Sequence, residues 1–189
     1  MGIYINKGNA EFRDIVTHEY VDKSSLIPLI NDTLNSEFRY SCVTRCRRFG
    51  KSMAAKMLCA YYDKSCDSRE LFRGLKAEQD ITFETHLNKY YVICVDMTDF
   101  TTRFRHEKEI VKIIQDKIIT DVLTEFPQIK RQDDDDLMEI LYRISESTGE
   151  RFFMIIDEWD AIVRELGMDN NIVTSYVDLL RRLFKGSGS

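Results

Sequence analysis

Three consecutive residues, Gly50-Lys51-Ser52, have the types and order that hold a phosphate, and a second pair, Asp157-Glu158, has the types that hold a divalent cation and activate water. The triplet is the closing half of the phosphate-loop pattern G-x-x-x-x-G-K-[ST]. The opening glycine of that pattern falls at position 45, where this chain has Arg45. A Gly-Lys-Ser/Thr triplet arises by chance in roughly one chain in ten of this length, so its surroundings decide its weight. At a strand-to-helix junction, backbone N–H groups of the loop and the first helical turn converge on one anion, aided by the helix dipole. Gly50 lets the backbone approach closely, Lys51 reaches the β- and γ-phosphates, and the Ser52 hydroxyl ligates Mg²⁺. Met53 continues the same first turn and Phe49 leads into it. Asp157 is suited to hold Mg²⁺, usually through water, and Glu158 to orient or deprotonate the attacking water. A hydrophobic strand also ends in carboxylates simply because the chain leaves the core there.

Those roles need particular elements. Arg39–Thr44, "RYSCVT", has the aromatic and β-branched content of a short strand. Residues 51–63, "KSMAAKMLCAYYD", place Met53, Met57, Leu58 and Tyr61 at helical spacing. Residues 90–97 and 151–158 are continuous apolar runs, as expected of strands buried on both faces. A short helix or turn is expected over 9–16, and helices over about 25–35 (capped by Asp22 or Ser24), 107–126 (stopped by Pro127), 137–148 and 172–184. Buried strands alternating with helices predict an α/β fold with a parallel sheet, in which ligands collect beyond the carboxyl ends of the strands. Loop, helix and acidic strand end, in this order, predict a three-layer αβα P-loop NTPase. Asp96 and Asp99 end the middle strand, where either a site role or capping is open. The acidic run over 133–136 reads as a solvated helix entrance, since carboxylates adjacent in sequence point apart and negative charge is favoured there.

Bulk properties narrow the classes. The chain of 189 residues is 43% hydrophobic and 31% charged, with a net charge of -5. This argues for a globular protein and against bulk nucleic-acid affinity. No apolar run approaches the roughly 18 residues of a membrane helix. The start, "MGIYINKGNAEF", lacks a signal peptide's layout, and Asn6 breaks the myristoylation pattern, so a cytoplasmic location is expected. The five cysteines are odd in number and match no zinc spacing, which predicts reduced thiols, mostly packed in the core.

The segments "YVDKSSLI", "CVTRCRRFGKS", "VICVDMTDF" and "IIDEWDAIV", in this order, resemble the predicted AAA-ATPase-like family of bacteria across essentially the whole chain. An extra strand between the motifs and a glutamate after the Walker B aspartate also resemble the ATPase division that includes AAA proteins. Members of the family typically read R-P-R-R-F-G-K-S, so Arg45 in place of glycine is a family feature. Cys46 departs from the usual proline and Trp159 from the usual tyrosine. The resemblance implies ATP and Mg²⁺ as ligands, Lys51 and Glu158 as catalytic residues, and Ser52 and Asp157 at the metal. It implies nucleotide contacts from Arg45, Arg47, Arg48, Phe49, Gly50, Lys51, Ser52 and Met53. For the three arginines, charge-assisted bonds to the triphosphate stand beside a surface-pairing alternative. Tyr20 or Lys23 is expected near adenine or ribose, with Asp22 at a helix entrance as the alternative.

Residues 1–36 are then an N-terminal segment leading into a partial AAA-like ATPase core over 37–189, one domain overall. The resembled fold has at least five strands, of which three are legible here, so a sheet truncated before the sensor strand is expected. The two motif strands would then pair directly or leave a gap. The terminal "GSGS" reads equally as an engineered linker or a native loop. Partners implied by the family are ATP, nucleic acid through a C-terminal nuclease-like domain, and further copies of the chain. Besides Mg²⁺-dependent ATP hydrolysis coupled to a partner domain, two alternatives stand. One is a nucleotide-gated switch that does not turn over. The other is a nucleic-acid patch built from Arg45, Arg47, Arg48 and Lys51, whose binding would fall steeply with salt.

Overall fold

The computed structural model describes residues 2–18, 20–44, 49–133 and 135–185. It is a mixed α/β structure whose described residues hold a two-strand parallel sheet, consistent with a partial P-loop-like fold. The strands are β1 (Tyr91–Asp96) and β2 (Phe152–Asp157), joined in register by the Tyr91 amide donating to the Arg151 carbonyl at 2.9 Å. On the opposite edge of β1, Asn6 hydrogen-bonds the Val92 backbone from the N-terminal segment. Its amide donates to the Val92 carbonyl (2.8 Å) and its side-chain oxygen accepts from the Val92 amide (3.2 Å). The chain divides into two compact units, and each strand changes unit near its carboxyl end.

The first unit comprises Asn6–Cys94 and Arg151–Ile155. It holds α1 (Ala10–Val16), α2 (Leu26–Asn31), α3 (Lys51–Tyr62), two 3₁₀ turns (Arg69–Phe72 and Lys76–Gln79) and the single-turn α4 (Phe83–His86). Its core is aromatic: Tyr61 and Tyr62 of α3 are fully buried among Phe12, Phe72, Phe83 and Tyr90. The expected capping of α2 by Asp22 or Ser24 does not occur. Asp22 instead accepts from the Lys76 amide (3.0 Å) and Ser24 from the Ala77 amide (2.9 Å), because tertiary donors are available and the helix begins after Ser25. Of the described cysteines, Cys42 is exposed, Cys59 buried, and Cys66 and Cys94 half-buried, all as free thiols. The hydrogen bond with Cys94, and then burial, push the Cys59 thiol well up, which keeps it protonated and inert.

The segment 39–44 forms no strand. It is exposed along its length, and among the described residues no strand pairs with it. Its β-branched and aromatic content favours a pleated surface only when a neighbour supplies hydrogen bonds and packing.

Burial also sets a pH response in this unit. His86 is buried against Tyr90, its Nδ1 2.6 Å from the Tyr90 hydroxyl. Burial, and then the Arg151 charge, lower its pKa below the ordinary 6.5. The unfolded chain therefore binds this proton more readily. The contribution is fully present above pH 6.5 and is lost as pH falls through the folded value. Thermal unfolding is expected to shift down between pH 7.5 and pH 5.5, and less so in His86→Gln. Equal shifts would remove His86 as a cause.

The second unit comprises Gly2–Ile5, Val95–Glu150 and the chain from Ile156 onward. It contains α5 (Met97–Phe104), α6 (Ile110–Glu125), α7 (Leu137–Thr148), α8 (Ala161–Leu166) and α9 (Asn170–Lys185). The buried residues of α6 are Ile110, Val111, Ile114, Ile118, Ile119 and Val122, the stripe expected of an amphipathic helix that ends before Pro127. Asp121 on its outer turns accepts the amides of Tyr4 (2.6 Å) and Ile5 (2.9 Å). The acidic run, of which Asp134 lies outside the described residues, is a helix entrance, but it is not solvated throughout, because Asp135 is buried. Asp136 accepts from the Glu139 amide and the Glu139 side chain accepts from the Asp136 amide, closing a capping box on α7. Asp135 is buried beside Arg143, whose hydrogen bonds at 2.8 and 2.5 Å hold its carboxyl below the usual carboxylate range. Asp96 caps α5 through the Thr98 amide (2.8 Å) and Asp99 pairs with Arg103 (3.1 Å), so both serve the helix. No described helix is long and apolar enough to cross a membrane.

Candidate functional site

The phosphate-loop triplet sits in the first unit where α3 begins. Gly50 is the N-cap, in the left-handed conformation with φ 75° and ψ 33°. A residue with a Cβ is strained there. Gly50 has no side chain to cap the helix, and the first turn, Lys51 to Met53, carries no acid. A helix start leaves its first N–H groups without intrahelical acceptors. Here neither a capping oxygen nor a carboxylate offsets the positive end of the dipole, which suits an anion. Ser52 is exposed, Lys51 and Met53 half-buried, and Phe49 exposed. Arg45, Arg47 and Arg48, together with Cys46, lie outside the described residues.

The sequence reading places Tyr20 or Lys23 near a base or sugar. The Lys23 ammonium donates to the carbonyl of Phe49, the last residue before Gly50. The contact depends on folding and has no local sequence signal.

Asp157 and Glu158 belong to the second unit, at the end of β2, and both are half-buried. Asp157 Oδ1 accepts from the Glu158 amide at 3.0 Å. Glu158 is left-handed, with φ 48°. This conformation is uncommon outside glycine and costs on the order of 1 kcal/mol or more. Its surroundings fix it. The Ala161 amide donates to the Glu158 carbonyl (2.8 Å), and the buried Tyr176 hydroxyl of α9 donates to the Trp159 carbonyl (2.6 Å). Arg164 of α8 pairs with Glu158 (3.4 Å) and with Asp160 (2.9 Å). Arg164 and Tyr176 were not singled out from sequence. The i, i+4 spacing of Asp160 and Arg164 was the available signal for the first. Among the described residues, no group of three or more His, Cys, Asp and Glu side chains is placed to hold a metal ion. A Mg²⁺ ion takes few protein ligands and keeps its waters or substrate oxygens, so a serine and an aspartate fit that donor set.

Residues 7–187 match the model of a family described as predicted AAA-ATPase. The chain belongs to the predicted AAA-ATPase-like family. The matched range includes both Gly50-Lys51-Ser52 and Asp157-Glu158. No curated protein and no solved structure matches the chain at a significant level.

Proposed function

We propose that this AAA-ATPase-like chain is a P-loop, AAA-like ATPase module that binds ATP and hydrolyses it with Mg²⁺, coupling the reaction to a partner or a further domain. The observation that carries the reading is the left-handed, uncapped Gly50 opening α3 directly before Lys51-Ser52, within a family match spanning 7–187. ATP is the substrate. Lys51 bonds the β- and γ-phosphates, and the amides from Gly50 to Met53 cradle them, with Phe49 bordering the cradle. Arg45, Arg47 and Arg48 add positive charge to the triphosphate. Ser52 and Asp157 hold Mg²⁺, which when bound neutralises charge on the phosphate oxygens. Glu158 orients the attacking water and accepts its proton. Residues 1–36 lead into the core formed by 37–189.

The test is titration with a fluorescent ATP analogue and Mg²⁺. Lys51→Ala is expected to weaken binding about tenfold to a hundredfold, the worth of a charge-assisted hydrogen bond. Equal affinity would remove Lys51 from the phosphates, and absence of binding by a folded wild type would remove the nucleotide reading.

One observation favours a nucleotide-gated switch that does not turn over. Arg164 pairs with Glu158, the carboxylate that hydrolysis requires. Binding without phosphate release would select that reading.

A further inference from the structure

The segment Tyr20–Ser24 is held by three anchors. The Tyr20 hydroxyl donates to the Met57 sulfur of α3 at 3.2 Å and accepts from the Lys23 amide at 3.3 Å. Asp22 and Ser24 accept the Lys76 and Ala77 amides. Lys23 lies between these anchors, which hold its backbone in place. Its ammonium bonds the Phe49 carbonyl and packs over Gly50, where an added Cβ would meet it before any other group. Electrostatics disfavour this arrangement when considered alone. The ammonium lies beside the positive end of α3, next to Lys51, with no acid in the first turn. A cation in that position is stabilised when a polyanion is bound there.

We infer that Lys23 is a positioning residue of the phosphate loop. It holds the Phe49 carbonyl, and through it the left-handed Gly50 turn, in the form that receives a polyphosphate. This rests on the nucleotide reading for its ligand, but the loop contact is measurable without nucleotide.

The experiment compares wild type, Lys23→Met and Lys23→Arg by backbone hydrogen exchange without nucleotide, and then by titration with a fluorescent ATP analogue and Mg²⁺. In the first turn of α3, the Ala54 amide donates to the Gly50 carbonyl at 3.0 Å. In Lys23→Met, exchange at Ala54 and Ala55 is expected to rise about three- to tenfold, the net worth of one solvent-exposed hydrogen bond. Leu58 to Tyr62, at the buried end of the helix, should not change. Analogue binding should weaken by a similar factor, and Lys23→Arg should restore both. Unchanged exchange at Ala54, exchange raised equally along α3, or equal binding by wild type and Lys23→Met would overturn the inference. If wild type binds no nucleotide, the nucleotide reading fails, and the exchange result alone decides the loop contact.

Discussion

Glu158→Gln is expected to cut phosphate release from ATP by about 10²–10⁴-fold, the usual worth of a positioned general base, while leaving analogue affinity unchanged. The substitution keeps size and hydrogen-bonding reach and removes the negative charge, and with it both the ability to take a proton and the ion pair with Arg164. The local frame supports treating this position as functional. Glu158 has φ 48°, a conformation a glycine would adopt without cost, and the Asp157 carboxylate, Ala161 amide and Tyr176 hydroxyl hold the turn around it. Strain maintained at a carboxylate by three separate contacts is the kind of outlier from which function is inferred. Glu158→Gly separates the two properties: it relieves the backbone and deletes the carboxylate, so stability should hold or rise while turnover is lost. Hydrolysis by Glu158→Gln at the wild-type rate would remove Glu158 as the base. A wild type that binds ATP and releases no phosphate would instead favour the switch, with the Arg164 ion pair as its physical basis.

The parts of the fold legible in sequence are those with strong periodicity or a strong stop. Helix α7 begins at the acidic run and ends before Gly149, where the left-handed φ of 72° needs glycine. Helix α6 ends at Glu125, two residues before Pro127, and β1 and β2 are the two continuous apolar runs. Short elements without such signals were not read. Helix α5 has three threonines and no gap after β1, so propensity argued against a helix. It forms because Asp96 caps it and Met97 and Phe100 are buried. Helix α8 has only six residues. The expected strand over 39–44 fails for the opposite reason: its propensity is local, and a strand needs a partner.

The candidate site divides the same way. Gly50, Lys51, Ser52, Asp157 and Glu158 are legible because their chemistry fixes residue type and spacing along the chain. The contact of Lys23 with the Phe49 carbonyl is not legible in sequence, because it depends on a segment anchored by Met57, Lys76 and Ala77. Tyr176 supports the acidic turn from α9 through a contact that no local pattern encodes, whereas Arg164 has one local signal, its i, i+4 spacing from Asp160.

Tyr62→Ala is expected to destabilise the first unit by about 3–5 kcal/mol, the cost of deleting a buried aromatic ring. Tyr62 is fully buried at the end of α3 opposite Lys51, its ring stacked on Phe153 of β2 at 3.9 Å between centroids. Its hydroxyl donates to Asn31 Oδ1 at 2.7 Å. Asn31 in turn donates to the Tyr61 hydroxyl (3.1 Å) and to Thr82 (2.9 Å), and Tyr61 donates to the Phe83 carbonyl (2.7 Å). Burial pushes both tyrosine hydroxyls far above their ordinary value, so they remain donors across the accessible pH range. Tyr62→Phe keeps the ring and strands the Asn31 oxygen, so it should cost about 1–3 kcal/mol. Chemical denaturation followed by far-UV circular dichroism gives both values. The functional consequence follows from the helix, because α3 carries the phosphate loop at one end and this anchor at the other. Tyr62→Ala should therefore lose ATP-analogue binding although Tyr62 lies far along α3 from the loop, and Tyr62→Phe should keep it. A stability loss under about 1 kcal/mol in Tyr62→Ala, far below the cost of an aromatic cavity, would mean that α3 is anchored elsewhere. Retained affinity despite the full loss would mean that the loop keeps its geometry without the packed end of its helix.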